Sequence, residues 1–207
     1  IVTYTGTGAN ATVGHGLGKA LGLQIVKQRS AGTVEDWEVW HSGIANTERL
    51  QLNSNGAKVT SATSWNSTSP TSTVFSVGTH QNVNESTKDF VAYCFTDVPN
   101  YQKVGSVVAN ATADNAYADT GFKIGLLLIK CSSTTGNWVM IDATRQTYNV
   151  QGPVLLANSS GAESAQTYID FTSRGFKIRS SGADVGAAQT YVYLAIASVN
   201  GKFSNGV

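Results

Sequence analysis

Charge is scarce in this chain. Lys, Arg, Asp and Glu make up 13% of its 207 residues, about half of the ~25% usual for a soluble domain, so other groups have to wet the surface. Ser, Thr, Asn and Gly do so, and these residues favour turns over helix interiors. Such a composition suits a neutral, polar surface of extracellular or virion type. The 14 Lys and Arg residues nearly balance the 13 Asp and Glu, and no basic run is longer than a pair. That spread excludes the electrostatic footprint of a nucleic-acid binder.

Cysteine is equally sparse: Cys94 and Cys131 are the only two. Each sits in or beside an apolar run, where a free thiol behaves as a small hydrophobe, so free thiols are expected over an inter-lobe bridge. No apolar stretch approaches the ~20 residues of a membrane-spanning helix. The chain begins at Ile1, without an initiator Met or a signal-like segment, and reads as a trimmed product or a fragment.

What the chain does contain is a repeat of about a hundred residues. Ala-Asn-Ala-Thr at 9–12 recurs at 109–112, and Leu23-Gln24-Ile25-Val26-Lys27 is answered by Leu126-Leu127-Leu128-Ile129-Lys130. Asp36-Trp37-Glu38-Val39 returns as Asn137-Trp138-Val139-Met140, and the run from Leu50 to Ala57 as that from Leu155 to Ala162. Phe90-Val91-Ala92-Tyr93-Cys94-Phe95 matches Tyr191-Val192-Tyr193-Leu194-Ala195-Ile196. The blocks keep one order, which points to duplication.

Short runs rich in Val, Ile, Leu, Tyr and Trp, separated by Gly, Asn, Ser and Thr, predict strands nearly everywhere. In the first lobe they fall near 1–5, 21–28, 36–41, 49–53, 73–77 and 89–96. In the second they fall near 102–108, 122–130, 137–142, 153–157, 167–171, 175–179 and 190–197. Leu126 to Ile129 is apolar on both faces and suits a doubly covered strand. No window carries a capped amphipathic face, so helices should be few and short. The expected fold is all-β: a duplicated β-sandwich with jelly-roll-like lobes at 1–98 and 101–207, divided near Val98-Pro99-Asn100. Whether the lobes are separate or halves of one sandwich stays open.

Motifs for chemistry are weak. Counting back from Gly18-Lys19, the first glycine of a phosphate loop is replaced by Val13, and Ala20 stands where Ser or Thr is needed. His15, His41 and His80 lie in no metal-ligand spacing and read as surface or turn residues. A glycan-cleaving protein needs two carboxylates held across a bond; the acids here are dispersed, and the cluster Glu35-Asp36-Glu38 reads as a solvated strand face. The segment from Asp114 to Asp119 offers oxygens for calcium without the alternating pattern of a strong site, leaving Asp114 and Asp119 as weak metal candidates. Asn-x-Ser/Thr matches at Asn10, Asn66, Asn84, Asn110 and Asn158 are those a Ser- and Thr-rich composition produces. No catalytic residue and no cofactor is expected.

Aromatics carry more. Trp37 and Trp138 occupy the same place in the two lobes and are expected in the core, whereas Trp40 should face solvent or the other lobe. Trp65 stands in the polar insert Ser64-Trp65-Asn66-Ser67-Thr68-Ser69-Pro70, a composition that suits sugar stacking, against the alternative of a ring plugging the sandwich end. Tyr148 and Asn149, in the stretch from Gln146 to Gly152, are a second candidate of the same kind.

The ordered blocks resemble a domain of unknown function that recurs in tail and tail-fibre proteins of tailed bacteriophages, many marine or cyanobacterial. They are Gly14-His15-Gly16-Leu17-Gly18, Trp65-Asn66-Ser67-Thr68-Ser69-Pro70-Thr71, Phe90 to Phe95, Gly136-Asn137-Trp138-Val139, Leu155 to Ser160 and Gly175 to Ser180. The resemblance implies a virion location and a tail fibre or spike, with other virion proteins as partners. Host-surface glycan is the leading ligand, through Trp65, Asn66, Tyr148 and Asn149, and a homotrimer the expected assembly. Nucleic acid and membrane insertion are not expected. The alternative is architectural, a capsid decoration or tail adaptor, and a polysaccharide-degrading tail enzyme comes third.

Overall fold

The computed structural model describes residues 1–30 and 35–198; the end of the expected second repeat lies outside them. Helix accounts for 2% and strand for 45%, so the chain is all-β. It divides into two compact units, Ile1–Asn53 with Lys58–Thr96, and Ser54–Ala57 with Asp97–Val207.

The first unit runs β1 (Val2–Thr5), β2 (Ala11–Gly14), β3 (Leu23–Gln28), β4 (Glu38–His41), β5 (Glu48–Gln51), β6 (Val59–Thr60), β7 (Val74–Val77), one helical turn α1 (Gln81–Asn84) and β8 (Asp89–Phe95). Its main sheet has the order β1-β8-β3-β4-β5-β6, while β2 and β7 pair apart. Phe75, Val77, Val83, Phe90, Ala92 and Trp65 are among its most deeply buried apolar residues, each at most 1% exposed. All four residues of β4 are buried, as are five of the six in β3. Neither of these strands therefore has a wet face.

The second unit continues with β9 (Gln102–Val108), β10 (Tyr117–Asp119), β11 (Ile124–Cys131), β12 (Trp138–Asp142), β13 (Gln151–Leu156), β14 (Ser164–Phe171), β15 (Gly175–Ile178) and β16 (Thr190–Ala197). These form one antiparallel sheet in the order β10-β15-β14-β13-β12-β11-β16-β9, curled into a nearly closed barrel. Its core is a single apolar cluster that includes Leu127, Ile129, Val139, Ile141, Phe176 and Tyr193, with the Phe176 and Tyr193 rings edge to face at 5.1 Å.

Both units route the chain alike. In each the last strand lies between the first and the third: β8 between β1 and β3, β16 between β9 and β11. Val26 pairs with Glu38 and Ile129 with Val139. The start of each fourth strand is tied by an asparagine: Trp37 N donates to Asn53 Oδ1 at 3.0 Å and Trp138 N to Asn158 Oδ1 at 2.8 Å. In return Leu52 N donates to Trp37 O and Ala157 N to Trp138 O, both at 2.9 Å.

Periodicity located most strands within a few residues but missed β2, β6 and β10. All three are short, and β10 lies in a polar stretch. It exists because β15 approaches closely: a Cβ at Gly175 would collide with the Ala118 carbonyl, so only glycine lets the pair Ala118–Phe176 form beside it. Gly121, which follows β10, adopts φ 85°. Trp138 is buried as expected; Trp37 is half-buried and stacks on Tyr93 at 6.3 Å. Trp40 is 5% exposed, so the solvent-facing half of its expectation does not hold. The two cysteines are free thiols.

The expectation of surface or turn histidines holds only in its second half. Each ring accepts a backbone N–H two residues on, from Leu17, Gly43 and Asn82 to the Nδ1 of His15, His41 and His80. His15 and His41 are nevertheless buried, because the turns they brace are packed under neighbouring chain.

Lys130 on β11 is fully buried. Its Nζ donates to the Cys131 carbonyl and lies 3.5 Å from the Asn55 carbonyl oxygen. Burial lowers its pKa from 10.5 to about 8. Below pH 8 the ammonium is charged in folded and unfolded chains alike, and the burial cost is present in full. As pH rises from about 8 to 10.5 the folded chain sheds its proton first, so stability increases across that window. Urea unfolding of the wild type should show this rise. Lys130→Met should remove it and add about 1–3 kcal/mol at pH 7.

Candidate functional site

The polar residues that set the first unit apart converge on the start of β4. Asp36, Glu38 and Trp40 alternate with Trp37, Val39 and His41, so the first three share one face. That face is interior. Glu38 is 0% exposed, which corrects the reading of Glu35-Asp36-Glu38 as a solvated strand face. Position 38 is matched in the second unit by Val139, a core residue, so the strand brings a carboxylate where the fold has room for an apolar side chain.

A buried carboxylate needs partners. Arg49 on β5 reaches it, pairing Nη1 with Glu38 Oε1. Gln51, two residues on and on the same face, donates Nε2 to Glu38 Oε1 at 3.2 Å and to Asp36 Oδ2 at 2.6 Å. Asn82 of α1 donates Nδ2 to Glu38 Oε1 at 2.7 Å and to Asp36 Oδ2 at 3.4 Å. Asn53 Nδ2 holds the other Asp36 oxygen at 2.9 Å. Glu35 accepts from Gln81 Nε2 at 3.4 Å, and its carbonyl from Lys27 Nζ at 2.5 Å.

His80 ties α1 into this cluster. Its Nδ1 caps Asn82 N at 3.2 Å, orienting the residue whose amide bridges Asp36 and Glu38. Burial lowers the His80 pKa and the nearby Arg49 charge adds to the fall, against the opposing pull of Glu38, Glu35 and Asp36. A neutral ring is what the cap requires, since Nδ1 must keep its lone pair.

This arrangement neutralises and orients carboxylates. Asp36 and Glu38 share two amide donors, and Glu38 has no solvent access, so an acid and a base acting across a bond find no opening. Among the described residues no three His, Cys, Asp or Glu side chains are grouped to hold a metal.

The residues singled out from sequence are dispersed. Trp65 lies inside the first unit, 1% exposed, with Nε1 donating to the Glu48 carbonyl at 3.1 Å. Its ring fills the interior, so it cannot stack on a sugar; the plugging alternative describes its placement. Asn66 beside it is exposed at φ 50°. Asp114 and Asp119 are taken by cations, Lys177 and Arg174 respectively, and Asp119 lies on β10, not in a loop. Their carboxylates are engaged in ion pairs that a metal would have to break.

Tyr148 is different: it is 80% exposed in the second unit, on the connection between β12 and β13. Asn149 pins that loop to β14, donating Nδ2 to the Phe171 carbonyl at 2.8 Å and accepting from Phe171 N at 3.0 Å. Gln146 and Gln151 each donate to the Tyr148 carbonyl at 3.2 Å. Arg145 clamps the loop's base between Asp142 and Glu163. The backbone around the ring is fixed while the ring stands in solvent.

Sequence reasoning missed Arg49, Gln51 and Asn82 as partners of Glu38 and His80 as the cap that orients Asn82. The available signal was polar residues in strands at positions where similar blocks of the second unit carry apolar ones: Gln24 against Leu127, Glu38 against Val139, Gln51 against Leu156.

Residues 1–199 match the model of a family described as a domain of unknown function, DUF7483. No curated protein and no solved structure matches the chain.

Arg49→Met should leave the buried Glu38 charge uncompensated and cost about 3–5 kcal/mol in urea unfolding, with Arg49→Met/Glu38→Leu recovering most of the loss. Trp65→Ala should cost about 3–5 kcal/mol through the cavity it opens, read as a fall in melting temperature.

Proposed function

The chain belongs to the DUF7483 family, and from that premise we propose that it is a non-enzymatic module of a virion appendage, a tail fibre or spike, that attaches to host-surface glycan. The observation that carries this reading is the Tyr148 loop. An aromatic ring in solvent costs hydration free energy, and here Asn149, Gln146, Gln151 and Arg145 all hold the backbone that presents it. A pre-set aromatic beside the Thr147 hydroxyl, on a backbone that Asn149 holds to β14, offers a stacking plane with little ordering cost on binding.

The scaffold beneath it is read as a duplicated β-sandwich-like lobe. Support comes from the shared strand order, from the matched pairs Val26–Glu38 and Ile129–Val139, and from the paired asparagine ties at Asn53 and Asn158. The edge bonds correspond as well: Gly6 N donates to Lys88 O and Ala109 N to Gln189 O. On this reading the two copies diverged inside, the first gaining the Glu38 cluster, and outside, the second gaining the Tyr148 loop. Assembly as a trimer beside other virion proteins belongs to the same proposal.

One observation favours a second, architectural reading as a capsid decoration or tail adaptor. Trp40, Trp65 and Trp138 are all spent on packing, leaving Tyr148 as the principal free aromatic platform.

A glycan array probed with wild type and Tyr148→Ala separates the two. Attachment predicts wild-type binding that falls at least ~10-fold in the variant at unchanged melting temperature. No binding by the wild type favours the architectural role.

A further inference from the structure

In the first unit buried side-chain atoms without a hydrogen-bond partner occur at Gln24 Oε1, Trp40 Nε1, Glu38 Oε2 and Arg49 Nε, and the first three lie on the neighbouring strands β3 and β4. Gln24, Trp40 and Glu38 are 1%, 5% and 0% exposed, so bulk solvent does not serve them. They are neighbours by construction of the sheet. Gln24 on β3 lies directly opposite Trp40 on β4, and Glu38 is two residues from Trp40, so all three emerge on one face.

An orphaned buried polar atom costs about 1–3 kcal/mol, and three on one patch is a concentration a relaxed core avoids. The fold itself does not demand them. In the second unit the corresponding opposed pair is Leu127 and Ile141, with Val139 beside it, all in the apolar core. Glu38 is moreover divided in its use: Oε1 takes every donor offered by Arg49, Gln51 and Asn82, which leaves Oε2 directed elsewhere.

We propose that this face of β3 and β4 is a binding site for a neutral, hydroxyl-bearing guest held by Gln24 Oε1, Trp40 Nε1 and Glu38 Oε2. The chemistry selects the class. Two of the atoms accept and one donates, so the guest supplies two donor hydrogens and one lone pair, as water or a pair of alcohol hydroxyls does. An anion is repelled by Glu38, and a bare cation leaves the indole N–H unmet. The guest's source is either ordered internal water, which commonly bridges buried polar groups, or the hydroxyls of a small polyol. The site is independent of the Tyr148 loop and does not rest on surface attachment.

The test uses the whole chain, labelled with ¹⁵N, and follows the Trp40 indole N–H, assigned by its loss in Trp40→Phe. A cross-peak to long-lived water that persists in up to molar glycerol, inositol and methyl glucoside identifies water as the guest. A saturable indole shift with loss of that cross-peak identifies a polyol. In either case Gln24→Leu, which installs the residue the second unit carries at Leu127 and should fold, is expected to abolish the signal. The proposal is overturned if the wild-type indole shows neither a water cross-peak nor a polyol shift, or if Gln24→Leu leaves the signal unchanged. A crystal structure in which Trp40 Nε1 donates directly to Gln24 Oε1 overturns it as well.

Discussion

Each unit is closed by the insertion of its last strand between its first and its third. β8 meets β1 on one side and β3 on the other, and β16 does the same with β9 and β11. A strand hydrogen-bonded along both edges has no free amide row left to solvate, so it sets the register of both neighbours. The pairs Tyr4–Phe90 and Gln28–Phe90 place one ring at the centre of the first unit, where Tyr4 stacks on it at 5.2 Å. Tyr191 occupies the equivalent station in the second, between Val107 and Cys131.

From that closure follows the difference between the interiors. The second unit fills its main cluster with branched aliphatics and aromatics. The first carries Gln24, Gln28, Glu38 and Trp40 on the same strands, and recruits Arg49, Gln51 and Asn82 to compensate. Buried ionic networks of this kind seldom add stability over an apolar replacement. Among the described residues a carboxylate network of this kind lies in the first interior, while the buried cation of the second unit, Lys130, is met by backbone carbonyls.

Much of the strand set was legible because alternation and turn chemistry are local. β9 and β16 span the residues the pattern indicated. The carboxylate cluster was not legible. Alternation put Asp36, Glu38 and Trp40 on one face but could not say that both faces of β4 are buried. Deciding that took Arg49 and Asn82, which lie 11 and 44 residues from Glu38. The same limit applied to Trp65: a polar insert around an aromatic describes an exposed sugar platform and a loop folded over its own ring equally well.

By itself, then, the sequence determined that the chain is all-β, where most strands and turns fall, and that two stretches of it share a pattern, because these depend on the chain's nearest neighbours. Tertiary structure alone decided that Glu38 is sealed inside with Arg49, that Trp65 is a core residue and that Tyr148 is held in solvent. Those outcomes depend on which strands pair across long separations, and pairing fixes the inside of a sheet only when the partners are in place.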